Sequence, residues 1–266
     1  MKTLLKYTAY VCAACLAAVL LYVLCIRGYV ALKFSSEPLL SEPVSTHLYA
    51  QQNDIQVPLV WLHKVNTPAR AARKEADYGG YETDIMILNG TPFIAHEKKD
   101  LANHVTLRDI FKSLAHPENK YWWLDLKMKL SDDDLAAILA EAERFYIPQD
   151  HLFFETGAGK TAQHINRLGL QLLLQLPEEF THDNDDAQRR AELNGHLAQL
   201  VEQYRPVAVS ASFGKYPLLR GYFPDLPKAI YYTTLTRPSL KKYFIRKRFE
   251  QDPSVKIFLI EEYTFL

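Results

Sequence analysis

The fold is decided by one strand-like stretch, Gly80-Tyr81-Glu82-Thr83-Asp84-Ile85-Met86-Ile87-Leu88, and by the Asn89-Gly90 pair that follows it. Successive side chains of a strand point to opposite faces, so Glu82 and Asp84, two residues apart, share one face. Asn-Gly between apolar residues is a hairpin signal, and it predicts a short extra strand over Pro92–Ala95. Acids inside an apolar strand are costly to bury unless another group compensates them, so the stretch also indicates a functional site.

Similar apolar runs recur along the chain and alternate with runs of amphipathic helical pattern. The strands that this pattern predicts are Val57–Leu62, Gly80–Leu88, Tyr121–Met128, Leu152–Glu155, Leu170–Gln175, Val207–Ser212, Ala229–Leu235 and Lys256–Glu262. The helices predicted between them are Pro68–Tyr78, Thr106–Ala115, Asp132–Tyr146, Lys160–Leu168, Asp186–Tyr204, Tyr216–Phe223 and Pro238–Gln251. This alternation predicts an α/β protein with a closed (β/α)8 TIM barrel. An open doubly wound sheet is the alternative.

The N-terminal part, residues 1–34, is predicted to be a membrane anchor. Tyr7–Ile26 is an uncharged and mostly apolar run of 20 residues, which is long enough to span a bilayer as a helix. Lysines precede the run, and Arg27 and Lys33 follow it, so the positive-inside rule favours a cytoplasmic N-terminus only weakly. A cleaved secretory signal is the rival interpretation.

Behind the anchor, residues 35–56 are rich in Ser, Pro and Gln and are predicted to be a linker, and residues 57–266 are predicted to form the barrel. An N-terminus inside the cell would place that barrel outside the cytoplasm, in the periplasm if the organism is bacterial. The chain holds 31 basic and 31 acidic residues, and a chain without excess positive charge is not expected to bind nucleic acid. All three cysteines (Cys12, Cys15 and Cys25) lie in the anchor, which excludes a disulfide, a Cys nucleophile and a Cys-ligated zinc in the body.

The acidic residues of the strands are expected to meet at one end of the barrel, because the C-terminal ends of barrel strands form the active site. Glu82, Asp84 and Asp125 are the candidates. Two carboxylates about 4 Å apart repel by about 4 kcal/mol at an effective dielectric near 20, so the cluster needs shared protons, a cationic partner or a metal. Oxygen ligands without cysteine favour one divalent cation, Mg²⁺ or Ca²⁺. The alternative is that these acids cap loops or pair with Lys64 and Lys127.

Two histidines accompany these acids. His63 ends the first strand, and His96 follows the predicted extra strand. Imidazole suits general acid or base catalysis near neutral pH. A lone histidine in a strand is more often a hydrogen-bonded core residue, but two histidines beside carboxylates indicate catalysis.

Three weaker signals lie later in the chain. Glu155 closes the fourth strand and is a candidate neighbour of the metal. The stretch Gly157–Thr161 ends in Gly-Lys-Thr but lacks the leading glycine of a phosphate-binding loop. The basic run Lys241–Arg248 has helical spacing and is predicted to be a solvated helix face, with contact to anionic lipid as the alternative.

The motifs form an ordered set that resembles the phospholipase-C-like phosphodiesterase superfamily, which includes the glycerophosphodiester phosphodiesterases and the spider-venom sphingomyelinase D enzymes. The order is most similar to the menorin-like branch, with its His-x-x-Asn, Glu-x-Asp, Pro-x-x-Ala-His and Asp-x-Lys strings. The residues that carry the resemblance are His63–Asn66, Glu82–Asp84, Asn89-Gly90, His96 and Asp125–Lys127. They cover the chain from Trp61 to about Lys127.

The resemblance implies a one-metal site with Glu82, Asp84 and Asp125 as ligands. It implies His63 and His96 as the acid/base or nucleophile pair. The substrate-binding residues by the same resemblance are Lys64, Asn66 and Lys127. Lys64 stands where the glycerophosphodiester enzymes usually carry Arg, and only 24 residues separate His96 from Tyr121, which leaves no space for the inserted subdomain of those enzymes.

We therefore expect a metal-dependent phosphoric diester hydrolase that acts on a phospholipid-derived or glycerophosphodiester-type small molecule. Two alternatives remain open. One is a non-catalytic, membrane-tethered barrel that serves as a binding scaffold. The other is a phospholyase, in which a substrate hydroxyl attacks the phosphorus and a cyclic phosphate is released.

Overall fold

The computed structural model describes residues 2–33, 42–44, 55–181, 186–232 and 240–261 of the chain. Its strands are β1 (Val60–Leu62), β2 (Gly80–Leu88), β3 (Thr91–Ile94), β4 (Tyr121–Leu126), β5 (Leu152–Thr156), β6 (Gln171–Gln175), β7 (Ala208–Ser212), β8 (Lys228–Tyr231) and β9 (Val255–Ile260). Its α-helices are α1 (Lys2–Lys33), α2 (Pro68–Arg73), α3 (Leu107–Lys112), α4 (Asp132–Arg144), α5 (Lys160–Arg167), α6 (Ala187–Tyr204), α7 (Tyr216–Tyr222) and α8 (Leu240–Glu250).

The strands close into a barrel. Parallel pairing runs in the order β1, β2, β4, β5, β6, β7, β8 and β9, and β9 pairs with β1 to complete the ring. The strand β3 pairs antiparallel with β2 through the turn at Asn89-Gly90, where both residues have positive φ. The predictions of a (β/α)8 barrel and of an extra hairpin strand are thus confirmed. An open sheet would have two unpaired edge strands, and it is excluded because β1 and β9 pair with each other.

The interior of the barrel is apolar in its lower part and acidic near its mouth. Side chains that alternate along the strands form an inner apolar cluster of Trp61, Trp123, Phe153, Leu173, Ala208, Ala229, Ile257 and Leu259. Gly80 is needed in this layer, because a Cβ there would lie 2.2 Å from the indole of Trp61. One step further along the same faces come Glu82, Asp125 and Glu155. Because every second side chain of a strand points inward, these acids lie inside the barrel at the C-terminal ends of its strands, where this fold has its catalytic groups.

Two larger apolar clusters fill the space between the strands and the surrounding helices. The helix boundaries follow local capping chemistry. The Thr67 side chain accepts a hydrogen bond from the Arg70 amide and precedes Pro68, and the Ser131 side chain accepts one from the Asp134 amide, which are the bonds that helix N-caps supply.

The N-terminal helix α1 is longer than the apolar run predicted from the sequence. Its span from Tyr10 to Leu32 is 23 residues long and has a mean hydropathy of 2.3, enough to cross a membrane by length and composition. A signal sequence meets the same criterion. Most of the predicted linker lies outside the described residues, but the Val44 amide donates to the Tyr222 carbonyl over 2.7 Å, so this part of the linker attaches to the end of α7.

The predicted strands and helices are confirmed in number and order, with shifts of a few residues at their ends. The first strand begins at Val60 instead of Val57, and α2 ends at Arg73 because a series of turns follows it. The predicted ends of three later elements (Leu235, Pro238 and Glu262) lie outside the described residues.

Candidate active site

Three carboxylates meet at the mouth of the barrel. One oxygen from each of Glu82, Asp84 and Asp125 lies within 4.8 Å of the other two. Asp84 on β2 is the register partner of Asp125 on β4, which is the partner of Glu155 on β5, so hydrogen-bonded strands hold the acids at one level. Glu82 and Asp84 are buried, with 2% and 4% of their surface exposed. Three oxygens this close together could bind one cation.

Glu82 is held by the backbone after β1. The Lys64 amide donates to its Oε2 over 2.6 Å, and Lys64 adopts the left-handed conformation, with φ of 58°, to point that amide inward. Burial raises the pKa of Glu82 well above its usual range, and the neighbouring charges of Asp84 and Asp125 raise it further. A proton or a cation must therefore compensate this carboxylate at neutral pH.

Asp84 has the opposite electrostatic balance. Burial raises its pKa, but this is outweighed by hydrogen bonds from His96, Asn66 and Lys127, which bring the pKa below its usual value. The Asn66 amide donates to Oδ2 over 2.6 Å, and its own oxygen accepts from the Thr83 hydroxyl over 3.0 Å. His96 Nδ1 lies 3.0 Å from Oδ1. Asp84 is therefore an anion that orients the His96 ring.

Lys127 stands between two of the acids. Its Nζ lies 3.0 Å from Asp84 Oδ1 and also donates to Asp125 Oδ2. Burial lowers the pKa of Lys127, but both carboxylates raise it above its usual value overall. Burial likewise raises the pKa of Asp125 despite this partner. The ammonium group thus offsets one of the negative charges of the cluster.

His63 is a neutral base at the edge of the same cluster. Its Nε2 lies 3.5 Å from Glu82 Oε2. Burial, with a contribution from the Lys64 charge, lowers the pKa of His63 to about 4, so the ring carries no charge at pH 7. The guanidinium of Arg70 donates to the His63 carbonyl over 3.0 Å and ties the end of β1 to α2.

All eight predicted site residues line one cavity of about 460 Å³. Lys64 reaches its rim, where Nζ pairs with Glu261 Oε1 at 3.2 Å. The cavity is also lined by Glu155, which was predicted as a neighbour of the metal, and by four residues for which no role was predicted: Trp123, Gln175, Tyr231 and Leu259. The structure thus brings the predicted residues together, while the role of each one stays a prediction.

Glu155 is the fourth acid of the cavity. Its two carboxylate oxygens accept hydrogen bonds from the Trp123 indole and the Ser210 hydroxyl. Burial, with a contribution from Asp125, raises the pKa of Glu155 to about 8. Tyr231 was not singled out by the sequence; its place at the end of β8 is the signal that indicates it. Burial raises the pKa of Tyr231, so its hydroxyl keeps its proton.

The Gly-Lys-Thr stretch has a structural explanation. Thr161 is buried in α5, and its hydroxyl hydrogen-bonds to the backbone of Leu130. It is therefore committed to holding the loop after β4, which agrees with the absence of the full phosphate-loop pattern.

Comparisons with known proteins give a fold relationship. No protein-family model matches the chain, and no curated protein matches it. A glycerophosphodiester phosphodiesterase from Parabacteroides distasonis aligns with a TM-score of 0.52 and 10% identity over 76% of this chain and 92% of that one. An N-(5'-phosphoribosyl)anthranilate isomerase from Pyrococcus furiosus aligns with a TM-score of 0.48 and 13% identity over 76% and 87%. A dihydropteroate synthase from Xanthomonas albilineans aligns with 0.46 and 10% over 77% and 87%. At these identities the likeness concerns the barrel fold alone.

Proposed function

We propose that this protein is a metal-dependent phosphodiesterase of the phospholipase-C-like type, closest to the menorin-like branch. The observation that carries the proposal is the convergence of three carboxylates, two histidines and two lysines on one cavity at the mouth of a TIM barrel. The fold likeness to a glycerophosphodiester phosphodiesterase supports the same reaction class. Fold alone does not imply function, whereas the residues of the cavity have the chemistry that this reaction needs.

The donor set fits one hard divalent cation, Mg²⁺ or Ca²⁺. Glu82, Asp84 and Asp125 would hold it, since they supply only oxygen ligands and lie close enough to share one ion. Burial and the charges of Asp84 and Asp125 raise the pKa of Glu82 although Lys127 pairs with both of those acids, and a cation bound here would offset the cost of ionising Glu82. When bound, the cation would supply positive charge to neutralise and orient phosphate oxygens.

His96 is the proposed general base. Because Asp84 is ionised, it can accept a hydrogen bond from His96 Nδ1–H, which leaves Nε2 as the ring nitrogen that would take a proton from the nucleophile. The side chain is 57% exposed, so a substrate hydroxyl or a water can reach it. His63 is the proposed partner on the other side of the acids. Its low pKa leaves the ring unprotonated at pH 7, so His63 would enter the reaction as a proton acceptor, and the proton that an imidazole takes from the nucleophile would be the one passed on to the leaving oxygen.

The remaining residues bind and position. Lys127 is already held by two carboxylates and offers its charge to a phosphate oxygen next to them. Lys64 at the rim is the second cation for an anionic substrate. Asn66 was predicted to bind substrate; its amide also fixes the orientation of Asp84, and we propose that this positioning is its main contribution.

The proposed substrate is a phospholipid-derived or glycerophosphodiester-type molecule. Support comes from the membrane-span candidate α1, which would hold the cavity near lipid. We propose the domain arrangement given by the sequence: an anchor at residues 1–34, a linker at 35–56 and the barrel at 57–266, with the barrel outside the cytoplasm.

Turnover of a panel of phosphodiesters by the full chain, with and without EDTA, tests this function. We expect Mg²⁺- or Ca²⁺-dependent activity, and a loss of about 10²-fold or more when the general base is removed in His96→Ala. His116→Ala is the matched control, because His116 is exposed and lies outside the cavity. Product analysis by ³¹P NMR separates hydrolysis from release of a cyclic phosphate. Inactivity on every diester, with no cation binding by calorimetry, would identify a scaffold.

A further inference from the structure

The outer helices of the barrel carry opposite charges on opposite sides. Helix α8, Leu240–Glu250, holds five basic residues and one acidic residue, a net of four positive charges. Helix α4, Asp132–Arg144, holds five acidic residues and one basic residue, a net of four negative charges. The first lies between β8 and β9 and the second between β4 and β5, which are half a turn apart in the ring of strands. These two helices on opposite sides of the barrel therefore carry opposite charge, within a chain whose formal net charge is zero.

The positive side is also where α1 meets the barrel. Val30 of α1 is 4% exposed and belongs to the same apolar cluster as Ile245 and Phe249 of α8. The Lys241 ammonium lies 4.9 Å from the centre of the Tyr29 ring, which is a cation–π contact. The C-terminal end of the membrane-span candidate is thus packed on the helix that carries the positive charge.

The length of α1 places this contact at the edge of a bilayer. A hydrocarbon core of about 30 Å takes about 20 helical residues, and α1 has 32. If the uncharged run Tyr7–Ile26 fills the core, Arg27 marks its end, and Val30 lies one turn beyond it. Because Val30 packs on α8, α8 then lies at the level of the lipid headgroups.

The outward face of α8 has the composition of an interfacial surface. Tyr243 is 53% exposed, and the Lys247 ammonium lies 5.9 Å from the centre of its ring. Arg246 and Lys247 are about half exposed and pair with Glu250, which offsets only one of the positive charges of the helix. Tyrosine with flanking basic residues suits the membrane–water interface, and basic clusters bind anionic lipid.

We propose that α8 is the membrane-contact surface of the barrel and that Tyr243, Arg246 and Lys247 bind the headgroups of anionic phospholipids in the bilayer that α1 spans. An orientation that turned the acidic helix α4 toward the bilayer would bring it within the roughly 10 Å over which surface charges act, and the same headgroups would repel it, so charge favours the orientation with α8 against the bilayer. The surface acts in addition to the proposed phosphodiesterase activity and does not depend on it.

A fluorescent probe on the full chain tests this surface without reference to turnover. Cys12, Cys15 and Cys25 are replaced by Ser, and Tyr243→Cys is labelled with a polarity-sensitive dye. The protein is reconstituted into phosphatidylcholine bilayers with or without phosphatidylglycerol. We expect a blue shift of the emission in the anionic bilayer, and loss of that shift at high salt because salt screens surface charge.

The matched control carries the dye at Tyr146→Cys, because Tyr146 is 87% exposed and follows α4 on the opposite side; its emission is expected to be the same in both bilayers. Adding Arg246→Gln and Lys247→Gln to the Tyr243→Cys protein is expected to abolish the shift, and thermal melting verifies that these surface changes leave the fold intact. Equal emission from the Tyr243 label in both bilayers, or an equal shift at Tyr146, would overturn the proposal.

Discussion

Glu155→Gln is expected to stabilise the protein at neutral pH and to leave its stability unchanged in mild acid. The Glu155 side chain is buried with a folded-state pKa of about 8, so it keeps its proton in the folded barrel at pH 7. The unfolded chain, with a glutamate pKa of about 4.5, loses that proton. Stability therefore falls as the pH rises from the unfolded pKa to the folded pKa.

The size of the effect follows from the two pKa values. Each pH unit between the unfolded pKa and pH 7 lowers the free energy of unfolding of the native chain by about 1.4 kcal/mol. The total loss is about 3 kcal/mol at pH 7, and there is none below about pH 4.5. Glutamine does not titrate and is the isostere of the protonated acid. Its oxygen can accept from the Trp123 indole and its amide can donate to the Ser210 hydroxyl, so both observed hydrogen bonds have replacements.

Urea unfolding of the detergent-solubilised chain in EDTA, at pH 4.5 and pH 7, measures this difference. We expect the free energy of unfolding of Glu155→Gln to exceed that of the native chain by up to about 3 kcal/mol at pH 7, and to equal it at pH 4.5. Glu143→Gln is the control, because Glu143 is exposed on α4, and it should change neither value. A Glu155→Gln variant that is less stable than the native chain at pH 7 would refute the reasoning, since it would mean that the folded cavity holds Glu155 as an anion.

Three further predictions follow from the barrel and its mouth. Glu82→Gln is expected to weaken Mg²⁺ or Ca²⁺ binding by about tenfold or more through the loss of a charged ligand; calorimetry measures it, and unchanged affinity would exclude Glu82 as a ligand. Gly80→Ala is expected to lower the free energy of unfolding by about 1–3 kcal/mol through overpacking against Trp61, and Trp61→Phe in the same chain should restore part of the loss; a neutral Gly80→Ala would contradict the close packing. Lys228→Met is expected to lower the free energy of unfolding by about 3 kcal/mol or more. The three N–H groups of the Lys228 ammonium are shared among three backbone carbonyls and the Ser254 hydroxyl, and methionine would leave these acceptors unsatisfied. Denaturant midpoints of the variant and the native chain measure the loss, and equal midpoints would contradict it.

The barrel could be predicted from the sequence because its signals are local. The boundaries of β2 were predicted to the residue, since its apolar run is bounded by glycines before it and by a turn pair after it. The beginning of α4 at Asp132 was predicted for the same reason, since a serine precedes it and three acids open the helix. The beginning of β1 was misplaced by three residues, because strand pairing with β9, and not local composition, determines where that strand starts.

The grouping of the acids and histidines could also be predicted from the sequence, because the two-residue strand period shows which side chains point to the inside of the barrel. The pKa shifts of the individual acids could not be predicted in this way. The opposite pKa shifts of Glu82 and Asp84 depend on the hydrogen-bond donors that other elements provide. Asp84 accepts hydrogen bonds from His96, Asn66 and Lys127, whereas Glu82 accepts one from the Lys64 backbone amide. Such contacts form only after closure of the barrel. Tyr231 was overlooked because the strand predicted there, Ala229–Leu235, continued past it, which hid its position at the end of β8.

The position of Asn66 also makes the cavity sensitive to chemical ageing. Asparagine is one of the thermolabile residues, and deamidation of Asn66 would convert the amide nitrogen, 2.6 Å from Asp84, into a second carboxylate oxygen. A donor would become an acceptor, and Asp84 would lose an orienting contact while gaining a neighbouring negative charge. The exposed Asn89-Gly90 turn deamidates more readily, because glycine does not hinder ring closure, but it lies away from the carboxylates. Peptide mapping of stored protein would separate the two events, and only the one at Asn66 alters the cavity.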